Sequence, residues 1–353
     1  MYDNLKRYID NIVWWIPFRK KRNFLRNELL KLINEQENQL INEKDKSIFS
    51  SIDKIIDLTN EITDINKQKI ILKENLKLIE IETHSFCNRK CWFCPNSIID
   101  RNTNNIELEE ELYLKIINNL KDINYSNTIN FHRFNEPLSY KNIILKRLKQ
   151  AREALPNARL GVFTNSDYLT KDYLDELVNN GMNYLLMSYY FSKDEIFDKE
   201  NIVNNGMNKL LKKLNLDVDE FIINNDVMLQ VKLKYDKADI IYKASDFKKM
   251  GNTRGGVLKD VHSVNNRVFR CFYPFTDLHI DYNGYVMPCC NLRSDVEGHK
   301  VFILGNIKYN NLFEIFTNDK ISNLRKYLCY NSEKQYPCNE CYYESEWKFR
   351  SIL

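Results

Sequence analysis

The sequence predicts an α/β protein built around a parallel sheet, and three features converge on that class. Between Leu76 and about His262, short β-rich runs alternate with helical stretches, the pattern of repeated βα units. Residues 1 to about 74 contain no cysteine and no glycine and read as charged helices with apolar residues three and four positions apart. Six of the nine cysteines come after the βα zone, around a predicted hairpin. The expected organisation is an N-terminal helical region over 1–74, a βα core over 75–262 and a small C-terminal module over 263–353.

Within the core, Leu76 to Thr83 reads as a first strand. Glu107 to Leu120 reads as a helix with Leu108, Leu112, Ile116 and Leu120 on one face. Further strands are expected over Thr128 to Phe134, Ala158 to Thr164, Tyr184 to Tyr190 and Val227 to Leu233, with helices near Tyr140 to Leu155 and Lys171 to Asn180. The spacing suits a partial α/β barrel, and a doubly wound sheet gives the same alternation.

Composition sets the outer limits. A net charge of +4 and a pI near 8.4 give no basic stripe of the kind that nucleic-acid binding needs. The most apolar early stretch, Ile12 to Phe18, is too short to span a bilayer and lacks a secretory cleavage pattern, so a cytoplasmic location is expected. Cytosolic thiols are kept reduced, and nine of them point to metal binding or catalysis sooner than to disulfides.

Cys87, Cys91 and Cys94 follow directly on the first strand, in a loop at its C-terminal end, where α/β folds build their sites. Three thiolates can hold three corners of a four-iron cluster and leave one iron open, whereas structural zinc and ordinary electron-transfer clusters take four ligands. A zinc knuckle borrowing His84 is the competing reading. The run Cys87, Asn88, Arg89, Lys90, Cys91, Trp92, Phe93, Cys94 resembles the C-x3-C-x-aromatic-C signature of the radical S-adenosylmethionine (SAM) superfamily. That resemblance implies a (β/α)6 TIM-like partial barrel, a 4Fe-4S cluster on the three cysteines, and SAM chelated to the open iron with Phe93 beside its adenine.

Supporting segments occur in the order the resemblance requires. Asn135, Glu136, Pro137 and Leu138 resemble the family's Gly-Gly-Glu-Pro segment with the glycines missing, and Glu136 keeps the acceptor that an ammonium group needs. Thr164 and Asn165 resemble its Thr-Asn-Gly, and Ser188 falls where a polar SAM contact would lie. Each of these is also an ordinary turn, helix cap or satisfied hydroxyl when taken singly.

Past Cys271 the sequence predicts a hairpin: Leu278 to Asp281, an Asn283-Gly284 turn, then Tyr285 to Cys290. A helix around Leu312 to Phe316 leads to the pair Cys338 and Cys341. Gly284, five residues before Cys289, and the terminal C-x-x-C resemble the SPASM extension of radical SAM enzymes, or its shorter twitch form. The resemblance implies one auxiliary 4Fe-4S cluster on Cys271, Cys289, Cys338 and Cys341. Four-thiolate zinc is the bland alternative. Cys290 and Cys329 stay unassigned, as buried apolar thiols, substitute ligands or hydrogen-atom donors.

The architecture is similar to the alcohol-dehydrogenating radical SAM enzymes that act on aminocyclitols. That likeness implies a small sugar- or cyclitol-like substrate and an external one-electron reductant such as flavodoxin or ferredoxin, under anaerobic conditions. Redox-neutral epimerisation and peptide modification are the competing chemistries. Arg254, in the run Asn252 to Gly256, is expected to face the substrate, and His132 and His262 are candidate bases. Trp14, Trp15, Ile16, Pro17 and Phe18 followed by four basic residues make a peripheral membrane contact one reading of the N-terminal region, with helix packing the other.

Overall fold

A computed structural model describes residues 56–259, 261 and 266–341, together with scattered positions between 13 and 31. Residues 57–352 form one unit, and residues 1–56 with Leu353 form another. In the smaller unit the described positions are helical. The aromatic and basic run expected to touch a membrane falls largely outside the described residues, as does His262. Among the described residues no helix is long and apolar enough to cross a membrane.

The larger unit is organised by one ten-stranded sheet. Its elements in chain order are α1 (Ile65–Asn75), β1 (Leu78–Ile81), α2 (Glu110–Asp122), β2 (Thr128–Asn130), α3 (Lys141–Ala154), β3 (Arg159–Thr164), α4 (Lys171–Asn179) and β4 (Tyr184–Tyr189). There follow α5 (Asn208–Leu214), β5 (Val218–Asn224), β6 (Met228–Leu233), β7 (Asp239–Ser245), β8 (Asp277–Ile280), β9 (Tyr285–Met287), β10 (Gly305–Asn306), α6 (Leu312–Thr317) and α7 (Asp319–Leu328). The strand order is β10-β9-β8-β1-β2-β3-β4-β7-β6-β5. The six central strands, β8 to β7 in that order, are parallel, and antiparallel pairs extend both edges. This is a partial-barrel sheet whose edges, β10 and β5, do not pair with each other.

Local chemistry explains the elements. β1, β3 and β4 are buried through their middles, at Ile79 to Ile81, Leu160 to Val162 and Leu185 to Met187, as parallel strands covered by helices must be. α2 turns Tyr113, Ile116, Ile117 and Leu120 inward at helical spacing, and the Thr170 hydroxyl caps α4 by accepting from the Tyr173 N–H. Val227 to Leu233, expected as another strand of the βα series, is instead β6, antiparallel between β5 and β7. The fifth strand of the parallel series is β7, joined to β6 by the short turn over 234–238.

The C-terminal hairpin is an extension of the core sheet: β8 pairs with β1 over Leu78 to Ile81, so its turn and the cysteine loop of β1 leave the sheet side by side. Beneath it, Arg325 of α7 is fully buried and donates to the carbonyls of Pro274 (2.9 Å), Leu58 (3.1 Å) and Phe316 (2.8 Å). Arg325→Met would strand three buried acceptors, at roughly 1 kcal/mol or more each. We expect a loss of at least about 3 kcal/mol, read as a lowered thermal or denaturant midpoint.

Candidate active site

Loops at the C-terminal ends of the parallel strands enclose a cavity of about 310 Å³, within the range of small-molecule sites. Its wall includes Cys87, Cys91 and Cys94 from the loop after β1. Phe93, Asn135, Glu136, Asn165, Ser188 and Arg254 lie on the same wall. Every residue nominated for the first cluster, for SAM and for the substrate thus borders one space. His84, the ligand that a zinc knuckle would borrow, is fully buried, with its ring 5.0 Å from that of Tyr140, away from this wall.

The cysteine loop is fastened from several sides. The Cys87 N–H donates to the Arg101 carbonyl (2.9 Å), and the Asn102 side chain donates back to the Cys87 carbonyl (2.7 Å). Arg89 grips Asp167 through two parallel bonds of 2.8 and 2.5 Å, and Asn165 donates to Asn88 (2.8 Å), which ties the loop to the end of β3. A buried charge network joins it to the C-terminal region. Arg101 pairs with Glu82 (3.3 Å) and Asp295 (2.8 Å), and Arg293 pairs with Asp295 (2.7 Å) and donates to Asn96 (2.9 Å). Burial opposes the Asp295 charge, but the guanidiniums of Arg293 and Arg101 hold its pKa at about 2.

Glu136 sits almost fully buried beneath the cavity and takes donors from the Thr164 hydroxyl (2.6 Å), the Asn165 N–H (2.8 Å) and the Leu138 N–H (3.1 Å). Despite these donors, burial raises its pKa to about 7. The neighbouring Asn135 amide nitrogen is buried with no hydrogen-bond partner among the described residues. Phe93 stacks face to face on Phe247 at 3.6 Å, with Tyr190 at 5.1 Å completing an aromatic wall. Arg254, in left-handed backbone with φ 48°, donates to Asn291 (3.2 Å). Sequence reasoning did not nominate Phe247 and Tyr190, nor Glu80 and Lys243 on the same wall. Glu80 lies within β1, Lys243 within β7, and Tyr190 and Phe247 just past β4 and β7, and none carries a short-range signature.

A second, tighter cavity of about 40 Å³ is lined by Cys271, Cys289, Cys338 and Cys341. Cys290 borders both cavities, which therefore share a wall. Cys329 lies apart at the end of α7, its thiol 3.3 Å from the Lys326 carbonyl. Burial pushes the thiols up: Cys87 to about 11, and Cys91 and Cys338 each to about 12. Cys289 is raised as well, by burial and then by Cys290 and Cys338.

Residues 81–215 match the model of the radical SAM superfamily, and residues 271–342 match that of the SPASM iron-sulfur cluster-binding domain. The chain carries a radical SAM domain followed by a SPASM iron-sulfur domain. Its cofactors are accordingly SAM, a SAM-binding 4Fe-4S cluster and an auxiliary cluster. This radical SAM chain is 26% identical over 261 residues to the S-adenosyl-L-methionine-dependent 2-deoxy-scyllo-inosamine dehydrogenase of Niallia circulans, covering 71% of the chain and 86% of that relative. The solved structure of BtrN in complex with AdoMet and 2-DOIA superposes with a TM-score of 0.52 at 24% identity, over 72% of this chain and 88% of BtrN. An open form of selenomethionine BtrN gives 0.51 at 23%, over 76% and 92%. These structures share the radical SAM partial-barrel fold.

The residues present suit those groups. Three thiols on one cavity and four on the next are the soft donor sets that iron-sulfur clusters take, and metal binding supplies the positive charge that offsets the burial opposing their ionisation. Beside the three-thiol set stand a buried carboxyl with a raised pKa and an unpartnered amide donor, suited to the ammonium and carboxylate ends of an amino acid.

Proposed function

We propose that this chain oxidises a secondary alcohol of a small sugar- or cyclitol-like molecule, with Cys87, Cys91 and Cys94 holding the SAM-binding cluster and Cys271, Cys289, Cys338 and Cys341 an auxiliary cluster of the twitch type. The observation that carries this reading is the shared wall: the three-thiol cavity and the four-thiol cavity adjoin at Cys290. When bound, SAM and its cluster supply a 5'-deoxyadenosyl radical on one-electron reduction, and a four-thiolate cluster, with no open corner, supplies an electron acceptor. The 26% identity to the 2-deoxy-scyllo-inosamine dehydrogenase supports the same substrate class.

The chain's own residues bind and orient. Phe93, backed by Phe247 and Tyr190, offers an aromatic face to adenine. Glu136 and Asn135 receive the amino-acid end of SAM, with Asn165 and Ser188 as further polar contacts. Arg254, steadied by Asn291, orients a substrate hydroxyl. The reducing electron comes from an external flavodoxin or ferredoxin in an anaerobic cytoplasm.

Anaerobic incubation of the reconstituted enzyme with SAM, reductant and 2-deoxy-scyllo-inosamine tests the reading. A product two hydrogens lighter, formed in step with 5'-deoxyadenosine, is expected. SAM cleavage with an unchanged product mass and altered stereochemistry would instead favour epimerisation, the second reading, which the Cys290 thiol at the cavity wall supports as a hydrogen donor.

Glu136 adds a pH signature. Its pKa is raised from 4.5 to about 7, so between those values the SAM-free protein holds a proton on Glu136, while the amino group of free SAM carries its own extra proton, which it must lose to chelate iron. Calorimetric SAM titration near pH 6 in buffers of different ionisation enthalpy is expected to show release of about two protons, one from each group, as the amine N–H comes to donate to the Glu136 carboxylate. Glu136→Gln should remove about one of the two and weaken SAM binding about tenfold or more.

A further inference from the structure

On the wall of the cavity, β1 and the loop after β2 bring together a carboxylate and an imidazole that no cofactor role uses. Glu80 Oε1 lies 3.7 Å from His132 Nε2, too far for a hydrogen bond. A hydroxyl entering beside them has one proton to donate, and Nε2 of a ring protonated at Nδ1 faces it as an acceptor. On its other side, Glu80 Oε2 is held at 2.6 Å by Nδ1 of the buried His279 of β8. The His132 ring stacks on Phe163 of β3, centroids 4.1 Å apart and planes 18° from parallel. Its Nδ1 is buried without a partner among the described residues, which leaves Nε2 as the atom able to meet a ligand.

We propose that the reacting hydroxyl of the substrate donates to His132 Nε2, beside the Glu80 carboxylate, and that Nε2 takes its proton. The inference rests on the alcohol-oxidation reading above. The step balances: the substrate carbon, having lost its hydrogen atom, gives one electron to the iron-sulfur acceptor of that reading. The O–H bond breaks, its proton passes to Nε2, and the C–O bond becomes a carbonyl. The Glu80 carboxylate then faces the imidazolium so formed, as a carboxylate steadies a catalytic histidine elsewhere.

Electrostatics agrees with the geometry. Burial opposes the Glu80 charge, but His279, then His132 and Arg133, hold its pKa at about 2, so the carboxylate is ionised throughout the working range. Burial lowers the His132 pKa against the pull of Glu80, which keeps the ring neutral and able to accept a proton at neutral pH. The titratable and charged groups facing His132 are Glu80 of β1, Glu82 just after it, His279 from β8 and Arg133 from its own loop, with Lys243 of β7 on the cavity wall. Other groups on that wall are poorer acceptors: a guanidinium such as Arg254 offers no lone pair, and Glu136 is committed to the amino end of SAM in the reading above.

The test uses the reconstituted enzyme with SAM, reductant and 2-deoxy-scyllo-inosamine, comparing wild type with His132→Gln, Glu80→Gln and Lys243→Met. His132→Gln is expected to keep its iron and its 5'-deoxyadenosine formation while ketone formation falls about a hundredfold, so the two products uncouple. At saturating SAM, so that protonation of Glu136 does not limit the rate, wild-type turnover should fall as pH drops below the usual imidazole range, and that acid limb should vanish in His132→Gln. Glu80→Gln, a second probe should His132→Gln fail to take up iron, is expected to uncouple in the same direction and raise the substrate KM. Unchanged coupling and an unchanged acid limb in whichever of these variants retains iron would overturn the proposal, as would loss of the limb in Lys243→Met alone. A wild type that cleaves SAM yet yields no ketone would overturn the function reading, and this inference with it.

Discussion

Replacing Cys87, Cys91 or Cys94 singly by alanine is expected to abolish SAM cleavage, the largest effect open to any single substitution in this chain. The three thiols enter one cavity from one loop, and that loop is fixed to β3 through Arg89 and Asp167 and to the C-terminal region through Arg101 and Asp295. No neighbouring thiol on that loop can take the place of a missing one: Cys290, also on the wall, belongs to a different loop after β9. With two thiolates left, the cluster should be lost or labile, and iron should fall from about eight to about four atoms per chain. 5'-Deoxyadenosine should drop to the level of a no-enzyme control. Retention of cleavage in any of the three would contradict the ligand assignment.

The second large effect is a separation of the two half-reactions. Cys338→Ala is expected to leave 5'-deoxyadenosine formation measurable while abolishing the ketone, because the substituted thiol lines only the second cavity. Iron should again fall by about four atoms, this time with SAM cleavage retained. Cys289→Ala should behave likewise, although its neighbour Cys290 stands on the same wall and offers a substitute thiol. Cys329→Ala, at the end of α7 with its thiol against the Lys326 carbonyl, should leave both activities near wild type. If Cys338→Ala instead loses SAM cleavage together with ketone formation, the assignment of the two cavities to separate roles fails.

Which parts of this architecture could be read in the sequence follows from how local their determinants are. The cysteine loop was legible because its chemistry is packed into eight consecutive residues after an apolar strand. Most of the parallel strands were legible because burial on both faces demands runs such as Leu78–Ile81 and Tyr184–Tyr189. β5 was missed because it is an edge strand, mostly exposed, with acidic residues early in its run. With β5 and β7 unrecognised, β6 was taken for a strand of the parallel series when it is the middle of an antiparallel meander.

The contacts that assemble the cavity from distant parts of the chain were largely illegible for a related reason. Glu80 lies inside a strand whose neighbours are apolar, and its partner His279 is 199 positions away. Arg101 and Asp295 are 194 apart, and Phe93 meets Phe247 only through the closure of β1 and β7 loops around one space. Nothing in either local run signals such a meeting; only the sheet order brings the partners together.

The central claim, that Cys87, Cys91 and Cys94 hold a cluster whose fourth iron chelates SAM, is met most directly by electron-nuclear double resonance on the reduced, anaerobically prepared protein with SAM labelled at its amino nitrogen. The account expects a hyperfine coupling between that nitrogen and the cluster, absent from the Cys91→Ala variant. Zinc in place of iron, or a reduced cluster that shows no coupling to bound SAM, would contradict it.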